Sequence, residues 1–166
     1  MIRVAVLTVS TSRSAPGSAD GGGDELVAFA RGLGGEVVAR AAVSDERALI
    51  EARLREWSDG GACDLILTTG GTGVAPRDVT PEATLAVIER AVPGIAEAMR
   101  EASRPHTRHW MLSRGVAGIR ARTLIVNFPG SPRSIGQVVQ AIAGALPHAL
   151  ALIAAAPTAH ARIPFR

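Results

Sequence analysis

The chain of 166 residues contains no lysine, so all eighteen of its basic residues are arginines. Without lysine the chain cannot form a Walker-type phosphate loop or react through a Schiff base. Tyrosine is also absent, and only 3% of the residues are aromatic. So few stacking surfaces argue against a protein that binds single-stranded nucleic acid.

The sequence pI of about 10.8 does not reverse that argument. A chain that has arginine but neither lysine nor tyrosine has almost no group that titrates between histidine and arginine. A net charge of only +3 therefore moves the pI far upward. We expect small-molecule substrates and no nucleic-acid partner.

Acidic residues are absent after Glu101, which divides the chain by charge. Residues 1–101 hold ten arginines and all fifteen acids, a formal charge of −5, whereas residues 102–166 hold eight arginines, a formal charge of +8. Any carboxylate chemistry must come from the first part, while the second part can attract only anions.

A single cysteine, Cys63, excludes an intramolecular disulfide and favours a reducing cytosol. The longest apolar stretch, Ala141–Ala156, is shorter than 18 residues and is interrupted by Pro147 and His148, so we expect no membrane span. The apolar run Val4–Val9 fits a buried first strand better than a signal peptide, because no small-x-small cleavage site lies nearby. We expect a cytoplasmic protein.

Short apolar runs alternate with helical patterns, which is typical of a parallel sheet covered on both faces. The predicted strands are Ile2–Val9, Glu36–Val43, Leu65–Thr68 and Thr123–Val126, with a shorter extended piece at Val116–Ile119. The predicted helices are Asp24–Leu33, Glu46–Trp57, Pro81–Arg90, Ile95–Arg104, Ser134–Leu146 and a short last helix opened by Pro147. We predict an α/β three-layer sandwich with a mostly parallel central sheet, one domain over residues 1–156, a flexible loop at 21–23 and a tail over 157–166.

Ligands of such sheets bind in the loops at the carboxyl ends of the strands. The segment Thr69-Gly70-Gly71-Thr72-Gly73 follows one predicted strand, and its three glycines would let backbone N–H groups approach an anion. A simple tight turn would need only one or two glycines. The spacing is not GxGxxG, so a dinucleotide fold is not supported.

Two acidic residues lie in comparable loops. Thr80 is predicted to cap the next helix, which leaves Asp78 beside the glycine loop, where it would repel a phosphate unless Mg²⁺ lay between them. The alternative for Asp78 is an Asx turn or a salt bridge with Arg77. In Ser44-Asp45-Glu46-Arg47, either Ser44 or Asp45 simply caps a helix, or Asp45 lies close to Asp78, where the two acids hold a metal or one acts as a base.

The last of these loops, residues 127–134, follows the strand Thr123–Val126. Ser131 is predicted to cap a helix with Pro132 at its first position, so that the following N–H groups face an anion. Phe128 is expected to be core or pocket wall. Arg114 is the arginine of the basic stretch 100–122 that is best suited to a pocket.

Four segments together resemble the MoaB/Mog family of molybdenum-cofactor biosynthesis, itself similar to the molybdopterin-binding domains of gephyrin and MoeA. The resemblance runs in unbroken order from about Ile2 to Ile153. The segments that carry it are Thr68-Thr69-Gly70-Gly71-Thr72-Gly73, Arg77-Asp78-Val79-Thr80-Pro81-Glu82-Ala83-Thr84, Leu112-Ser113-Arg114-Gly115 and Asn127-Phe128-Pro129-Gly130-Ser131-Pro132.

The resemblance implies a MoaB/Mog-like molybdopterin-binding fold and a molybdopterin adenylyltransferase, which converts ATP and molybdopterin into adenylyl-molybdopterin and pyrophosphate. The family's two catalytic acids match Asp45 and Asp78, which are also the expected Mg²⁺ ligands. The family's Asp-Arg pair after the first strand is altered here to Ser10-Thr11-Ser12-Arg13. The residues expected to bind molybdopterin or nucleotide are Thr69, Gly70, Gly71, Thr72, Gly73, Ser113, Arg114, Asn127, Pro129, Gly130 and Ser131.

The resemblance also implies a homotrimer, or a hexamer, and a downstream MoeA-like insertase. Two other functions stay open from the sequence. One is a non-catalytic molybdopterin binder or carrier of the MoaB branch, and the other is a scaffold whose loops only pack. Retained acids at positions 45 and 78 favour the enzyme over the carrier.

Overall fold

A six-stranded sheet with helices on both faces forms the body of the chain. A computed structural model describes residues 1–13 and 17–155, so the predicted tail at 157–166 lies outside the described residues. The strands are β1 (Ile2–Val9), β2 (Gly35–Val43), β3 (Leu65–Thr69), β4 (Arg90–Ala91), β5 (Ala117–Arg120) and β6 (Thr123–Phe128). The helices are α1 (Gly21–Gly32), α2 (Arg47–Asp59), α3 (Thr80–Leu85), α4 (Pro93–Ser103), α5 (Pro132–Ala143) and α6 (Leu146–Ala155), with a 3-10 helix at Trp110–Leu112.

The sheet has the strand order β2-β1-β3-β6-β5-β4. Strand β1 pairs in parallel with β2 and β3, and β3 pairs in parallel with β6, whereas β5 is antiparallel to both of its neighbours. The predicted mostly parallel sheet is therefore confirmed. After β1 the chain continues to β2, at one edge of the sheet, and after β3 it continues to β4, at the opposite edge. Ligand crevices form where the connections diverge in this way, here between β1 and β3.

Strand β1 shows why the core has two halves. Its side chains alternate between the faces, with Val4 and Val6 in one apolar cluster and Ala5, Leu7 and Val9 in the other. The first cluster includes residues of α1, α4, α5 and α6, and the second includes residues of α2 and α3. Because both faces are covered, the centre of β1, Val4–Leu7, is a continuous apolar run in the sequence. The three predicted layers are confirmed.

The prediction of a flexible loop at residues 21–23 is wrong, because these three glycines form the first turn of α1. Asp20 caps this helix, and its Oδ1 accepts a hydrogen bond of 2.9 Å from the Gly23 N–H. A Cβ at Gly22 would lie 2.8 Å from the Thr69 hydroxyl oxygen, so glycine allows the helix to approach β3 closely. Capping and packing outweigh the conformational entropy that glycine loses in a helix.

Helix α3 also differs from its prediction of Pro81–Arg90. It ends at Leu85, because the chain turns to form β4, a two-residue strand too short to show a hydrophobic period. Thr80 does not cap α3. Val79 occupies that position without a side-chain bond, and the Thr80 hydroxyl donates instead to the Gly70 carbonyl at 2.9 Å. The threonine thus ties the helix to the glycine loop.

No single helix in the described residues is long and apolar enough to cross a membrane; α5 and α6 pass that test only as a pair, with a bend of 59° between them.

The Asp20 carboxylate joins β1, α1 and β2. Its side chain is 14% exposed and accepts hydrogen bonds from the Thr8 hydroxyl at 2.7 Å and from Arg40 Nη2 at 2.9 Å. Burial by itself would raise the pKa of Asp20. The hydrogen bonds from Arg40, Thr8 and the Gly23 N–H together outweigh burial and lower the pKa below its ordinary 3.8. The charged form is therefore favoured by folding.

We expect Asp20→Asn to lower the free energy of unfolding by about 1–3 kcal/mol at pH 7, since it removes the charge from a capped, ion-paired site. A carboxyl whose pKa is lowered by folding stabilises the protein above the unfolded pKa of about 3.9, and this stability is lost as the pH falls through the folded pKa. The difference between wild type and variant should therefore shrink below about pH 4. Urea unfolding as a function of pH measures it.

The matched control is Asp24→Asn, which removes the second carboxylate partner of Arg40. Asp24 is 70% exposed, so we expect a loss below about 1 kcal/mol. Equal losses for the two variants at pH 7, or a difference for Asp20→Asn that persists at low pH, would contradict this assignment.

Candidate functional site

The loops after β3 and β6 form an open cleft of about 400 Å³ at the carboxyl edge of the sheet. It lies next to the crevice between β1 and β3. Many of the predicted site residues meet in its wall. The lining residues are Gly71, Thr72, Gly73, Asp78, His109, Leu112, Ser113, Pro129, Gly130 and Ser131.

The glycine loop has a backbone that other residues could not adopt. Gly70 has a φ of +96° and Gly71 a φ of +65°. A Cβ at Gly70 would overlap the Val9 carbonyl oxygen at the end of β1, and one at Gly71 would overlap the Thr80 hydroxyl. The predicted need for glycine thus has two separate causes, which are positive φ and the close approach of neighbouring elements.

The glycine loop is tied to the loop after β6. The Thr69 hydroxyl donates a hydrogen bond of 2.8 Å to the Pro129 carbonyl, and the Gly70 N–H donates to the Phe128 carbonyl at 3.3 Å. Thr69 was predicted to bind substrate, but its hydroxyl proton is used inside the protein. Its contact keeps the two walls of the cleft in register.

Arg114 holds the opposite end of the glycine loop. Its Nε donates to the Gly73 carbonyl at 2.7 Å, and its Nη2 donates to the Asp78 carbonyl at 2.6 Å. Its Nη1 donates to the Glu82 carboxylate, and this hydrogen bond lowers the pKa of Glu82 below its ordinary 4.5. The backbone N–H of Arg114 also donates to the Thr72 carbonyl at 2.8 Å. The arginine predicted to face substrate thus braces the loop itself.

Asp78 lies in the cleft wall, and its side chain stabilises the preceding turn, although not as the Asx turn of its alternative interpretation, which would bond an N–H two residues further on. Its Oδ2 accepts a hydrogen bond of 2.9 Å from the Ala75 N–H. In the parts of the chain that the structure describes, Arg77 and Asp78 form no salt bridge. The turn contact uses one carboxylate oxygen and fixes its direction. It is compatible with a role of this carboxylate in the cleft.

Asp45 does not cap α2, where Glu46 is the N-cap and forms no side-chain bond. Instead, Asp45 Oδ2 accepts hydrogen bonds from Thr11, at 2.7 Å from the backbone N and at 2.8 Å from the hydroxyl. Within residues 1–13 and 17–155, no three His, Cys, Asp or Glu side chains gather as a metal site. Any metal bound through Asp45 or Asp78 therefore needs ligands from substrate or water.

Asn127, the only asparagine, is 3% exposed and joins four elements. Its Nδ2 donates to the hydroxyls of Thr68 and Thr84, both at 3.0 Å, and its Oδ1 accepts from the Val116 N–H at 3.2 Å. Its side chain is thus engaged by the protein. It also lines a second cavity, of about 150 Å³, which shares His109, Ser113 and Pro129 with the cleft.

The start of α5 matches its prediction. Ser131 is the N-cap and accepts from the Ser134 N–H at 3.5 Å, and Pro132 lies in the first turn. The first N–H groups of this helix therefore lie next to the Gly130 side of the cleft. Phe128 is fully buried and packs edge-to-face on Phe29 at 6.0 Å between ring centroids, as expected for a core residue.

Sequence reasoning missed several groups around the cleft. Arg13 Nη1 donates to the Gly130 carbonyl at 3.4 Å, and Arg100 Nη1 donates to the Gly115 carbonyl at 3.1 Å. His109 lines both cavities. The position of Arg13 in the loop after the predicted first strand was a usable signal. Arg100 and His109 carried no such signal, because their position follows from how α4 and the 3-10 helix pack.

The fold and the cleft together define an α/β protein with an anion-suited crevice at a switch point of its sheet. A family model described as "Probable molybdopterin binding domain" matches residues 5–148. A solved structure of the molybdopterin biosynthesis enzyme MoaB from Thermus thermophilus is 46% identical, with a TM-score of 0.87 over 95% of this chain and 99% of that one. The chain belongs to the MoaB/Mog family of molybdopterin-binding domains.

Two curated relatives are similar over a shorter stretch. The molybdopterin adenylyltransferase of Helicobacter pylori strain J99 is 48% identical over 111 residues, which is 67% of this chain and 63% of that protein. The molybdopterin adenylyltransferase of Escherichia coli K12 is 49% identical over 100 residues, 60% of this chain and 51% of that protein. The chain thus spans less than two thirds of the length of these relatives.

We expect Gly70→Ala to destabilise the protein much more than Gly34→Ala. Gly34 has a φ of +73° with open space around it, so alanine there should cost only the left-handed backbone, about 1–2 kcal/mol. Alanine at Gly70 should cost at least about 2 kcal/mol more, because the chain at the end of β1 must move. Urea unfolding of both variants measures the difference, and equal losses would show that the close approach to Val9 carries no energy.

Proposed function

We propose that this protein transfers the adenylyl group of ATP to the terminal phosphate of molybdopterin. A phosphate oxygen of molybdopterin attacks the α-phosphorus of ATP and forms a new P–O bond. The bond between the α-phosphorus and the oxygen that bridges to the β-phosphorus breaks, and pyrophosphate leaves. The products are adenylyl-molybdopterin and pyrophosphate. Two relatives that carry the name molybdopterin adenylyltransferase support this choice.

The observation that carries the proposal is the cleft between the glycine loop and the start of α5. Phosphoryl and nucleotidyl transfers need positioning and neutralisation of negative charge more than covalent help from the protein. The backbone N–H groups of the glycine loop and of the first turn of α5 can supply fixed positive potential. Arg114 and the Thr69 contact keep both walls in place without reorganisation.

The acidic groups fit a magnesium ion shared with substrate. Mg²⁺ usually keeps several waters and takes one or two carboxylates together with substrate phosphates, so it needs no cluster of three acids. Asp78 lies in the cleft wall, and Asp45 lies in the loop after β2, which is separated from β3 by β1. These carboxylates would hold the ion, which would supply positive charge against the phosphates.

A molybdopterin carrier without transfer activity is the competing function. The carrier needs the cleft walls but has no use for an acid directed at a nucleotide-bound metal. Incubation with ATP, Mg²⁺ and molybdopterin separates the two functions. Formation of adenylyl-molybdopterin and pyrophosphate supports the enzyme, whereas pterin binding without either product supports the carrier.

We also propose that the chain acts as a homotrimer, or a hexamer, and passes its product to a MoeA-like insertase. Apolar side chains exposed on this chain would supply the contact surface. Leu85 is 54% exposed and Leu152 is 58% exposed. Leu152 also lines an apolar groove of about 220 Å³ with Val92 and Ile119. Sedimentation velocity at several concentrations measures the assembly.

We expect Asp78→Asn to keep the fold and to lower kcat/KM for adenylyl transfer by about 100-fold or more, because the cleft loses the carboxylate that holds the metal-bound phosphates. The amide can still accept the turn contact from the Ala75 N–H, so the unfolding midpoint should stay near that of wild type. Pyrophosphate release at varied ATP and Mg²⁺ concentrations measures the effect.

The matched control is Asp59→Asn. Asp59 is a half-exposed surface carboxylate that pairs with Arg120 outside the cleft. We expect this variant to transfer the adenylyl group like wild type. If Asp78→Asn transferred the adenylyl group as fast as wild type, the proposed role of the Asp78 carboxylate would be wrong.

A further inference from the structure

The hydroxyl of Thr11 lies between two charged side chains of opposite sign. It donates to Asp45 Oδ2 at 2.8 Å, and it accepts a hydrogen bond of 3.3 Å from Arg77 Nη2. Asp45 follows β2, Thr11 follows β1, and Arg77 belongs to the segment between β3 and α3. The three side chains therefore connect the loops of three adjacent strands at the reversal of strand order.

The Thr11 hydroxyl both donates to and accepts from the charged loops around it. A hydroxyl has one proton to donate and two lone pairs to accept with. The proton goes to the Asp45 carboxylate, and the lone pairs take Arg77 Nη2 and the Asp45 N–H, the latter at 3.3 Å. The Thr11 N–H adds a second donor to the same carboxylate oxygen, at 2.7 Å. Thr11 thus fixes the direction of one oxygen of Asp45.

Thr11 also keeps the two charges apart. In the residues that the structure describes, no salt bridge within 4.0 Å joins Arg77 to Asp45, although both contact one hydroxyl. An arginine and a carboxylate that share one hydroxyl could instead pair directly, because a planar guanidinium can donate two parallel hydrogen bonds to a carboxylate. In such a pair the carboxylate of Asp45 and the guanidinium of Arg77 would neutralise each other.

We propose that Thr11 is a positioning residue that acts as a spacer, holding the Asp45 carboxylate and the Arg77 guanidinium apart so that each stays available to substrate. The inference rests on the proposed adenylyl transfer, because it assigns the two charges to that reaction. The carboxylate serves the metal side of the phosphates, and the guanidinium serves their negative charge. Neither function is available when the two side chains neutralise each other.

The test compares Thr11→Val with Thr11→Ser. Valine keeps the shape and the backbone N–H but removes the hydroxyl, so Arg77 can pair directly with Asp45. We expect kcat for adenylyl transfer to fall by about 10-fold to 100-fold with a smaller change in KM for ATP, since displaced catalytic groups cost about that much. Serine keeps the hydroxyl and should restore most of kcat. Unfolding midpoints of both variants should stay near wild type.

Ser18→Ala is the matched control in the same loop, because its hydroxyl donates to the Ser12 carbonyl and contacts neither charged group. It should transfer like wild type. A double variant identifies the route of the effect. If Thr11 acts through Asp45, Thr11→Val should lower kcat far less in an Asp45→Asn background than in wild type.

Four results would overturn the inference. Equal losses for valine and serine at position 11 would show that the hydroxyl is not the cause. A full additional loss in the Asp45→Asn background would show that Thr11 does not act through Asp45. If wild type transfers the adenylyl group and Thr11→Val does so equally well, the spacer role is wrong but the proposed function stands. If wild type transfers no adenylyl group at all, both the proposed function and the spacer role are wrong.

Discussion

The guanidinium of Arg114 fastens the glycine loop to α3, and the geometry of the cleft depends on this contact. Its donors reach the carbonyls of Gly73 and Asp78 and the carboxylate of Glu82, so they close the loop against the helix that follows it. A fork of N–H groups in fixed directions suits this work better than a lysine would. A loop held in this way has its N–H groups in place before any ligand arrives, which is the requirement for electrostatic stabilisation without reorganisation.

The two differently charged parts of the chain supply different groups to the proposed site. Both acids proposed for the metal side, Asp45 and Asp78, come from the acid-bearing first part. The acid-free second part supplies the start of α5 and Arg114. The ion pair between Arg114 and Glu82 limits the contribution of the second part. Arg114 is paired with Glu82, so its charge is used within the protein.

The sequence predicted the strands and helices whose apolar residues follow a regular pattern. The bounds of β1 agree residue for residue, because a strand covered on both faces is a mostly apolar run, here with Arg3 and Thr8 as its two polar residues. The start of α1 and the strand β4 were missed for physical reasons. Three glycines look like a loop until the Asp20 cap and the close approach to Thr69 are known. Two paired residues in β4 carry no pattern of their own.

The site could be predicted as a set of loops but not as a set of contacts. The rule that ligands bind at the carboxyl ends of strands brought Gly71, Asp78 and Gly130 to one cleft, where the structure has them. The partners of Thr69, Asn127 and Arg114 depend on which strands are neighbours, and a single sequence does not contain that order. These three residues were expected to bind substrate, and in the structure their polar groups hold the cleft walls together.

The structure of this protein with a non-hydrolysable ATP analogue and Mg²⁺ tests the central claim most directly. The account predicts that the phosphates lie between the glycine loop and the start of α5, with Asp78 on the metal side. A different position would contradict it. The clearest contrary result would be a nucleotide bound in the cavity of about 600 Å³ at the opposite edge of the sheet, which Arg3 and Arg122 line.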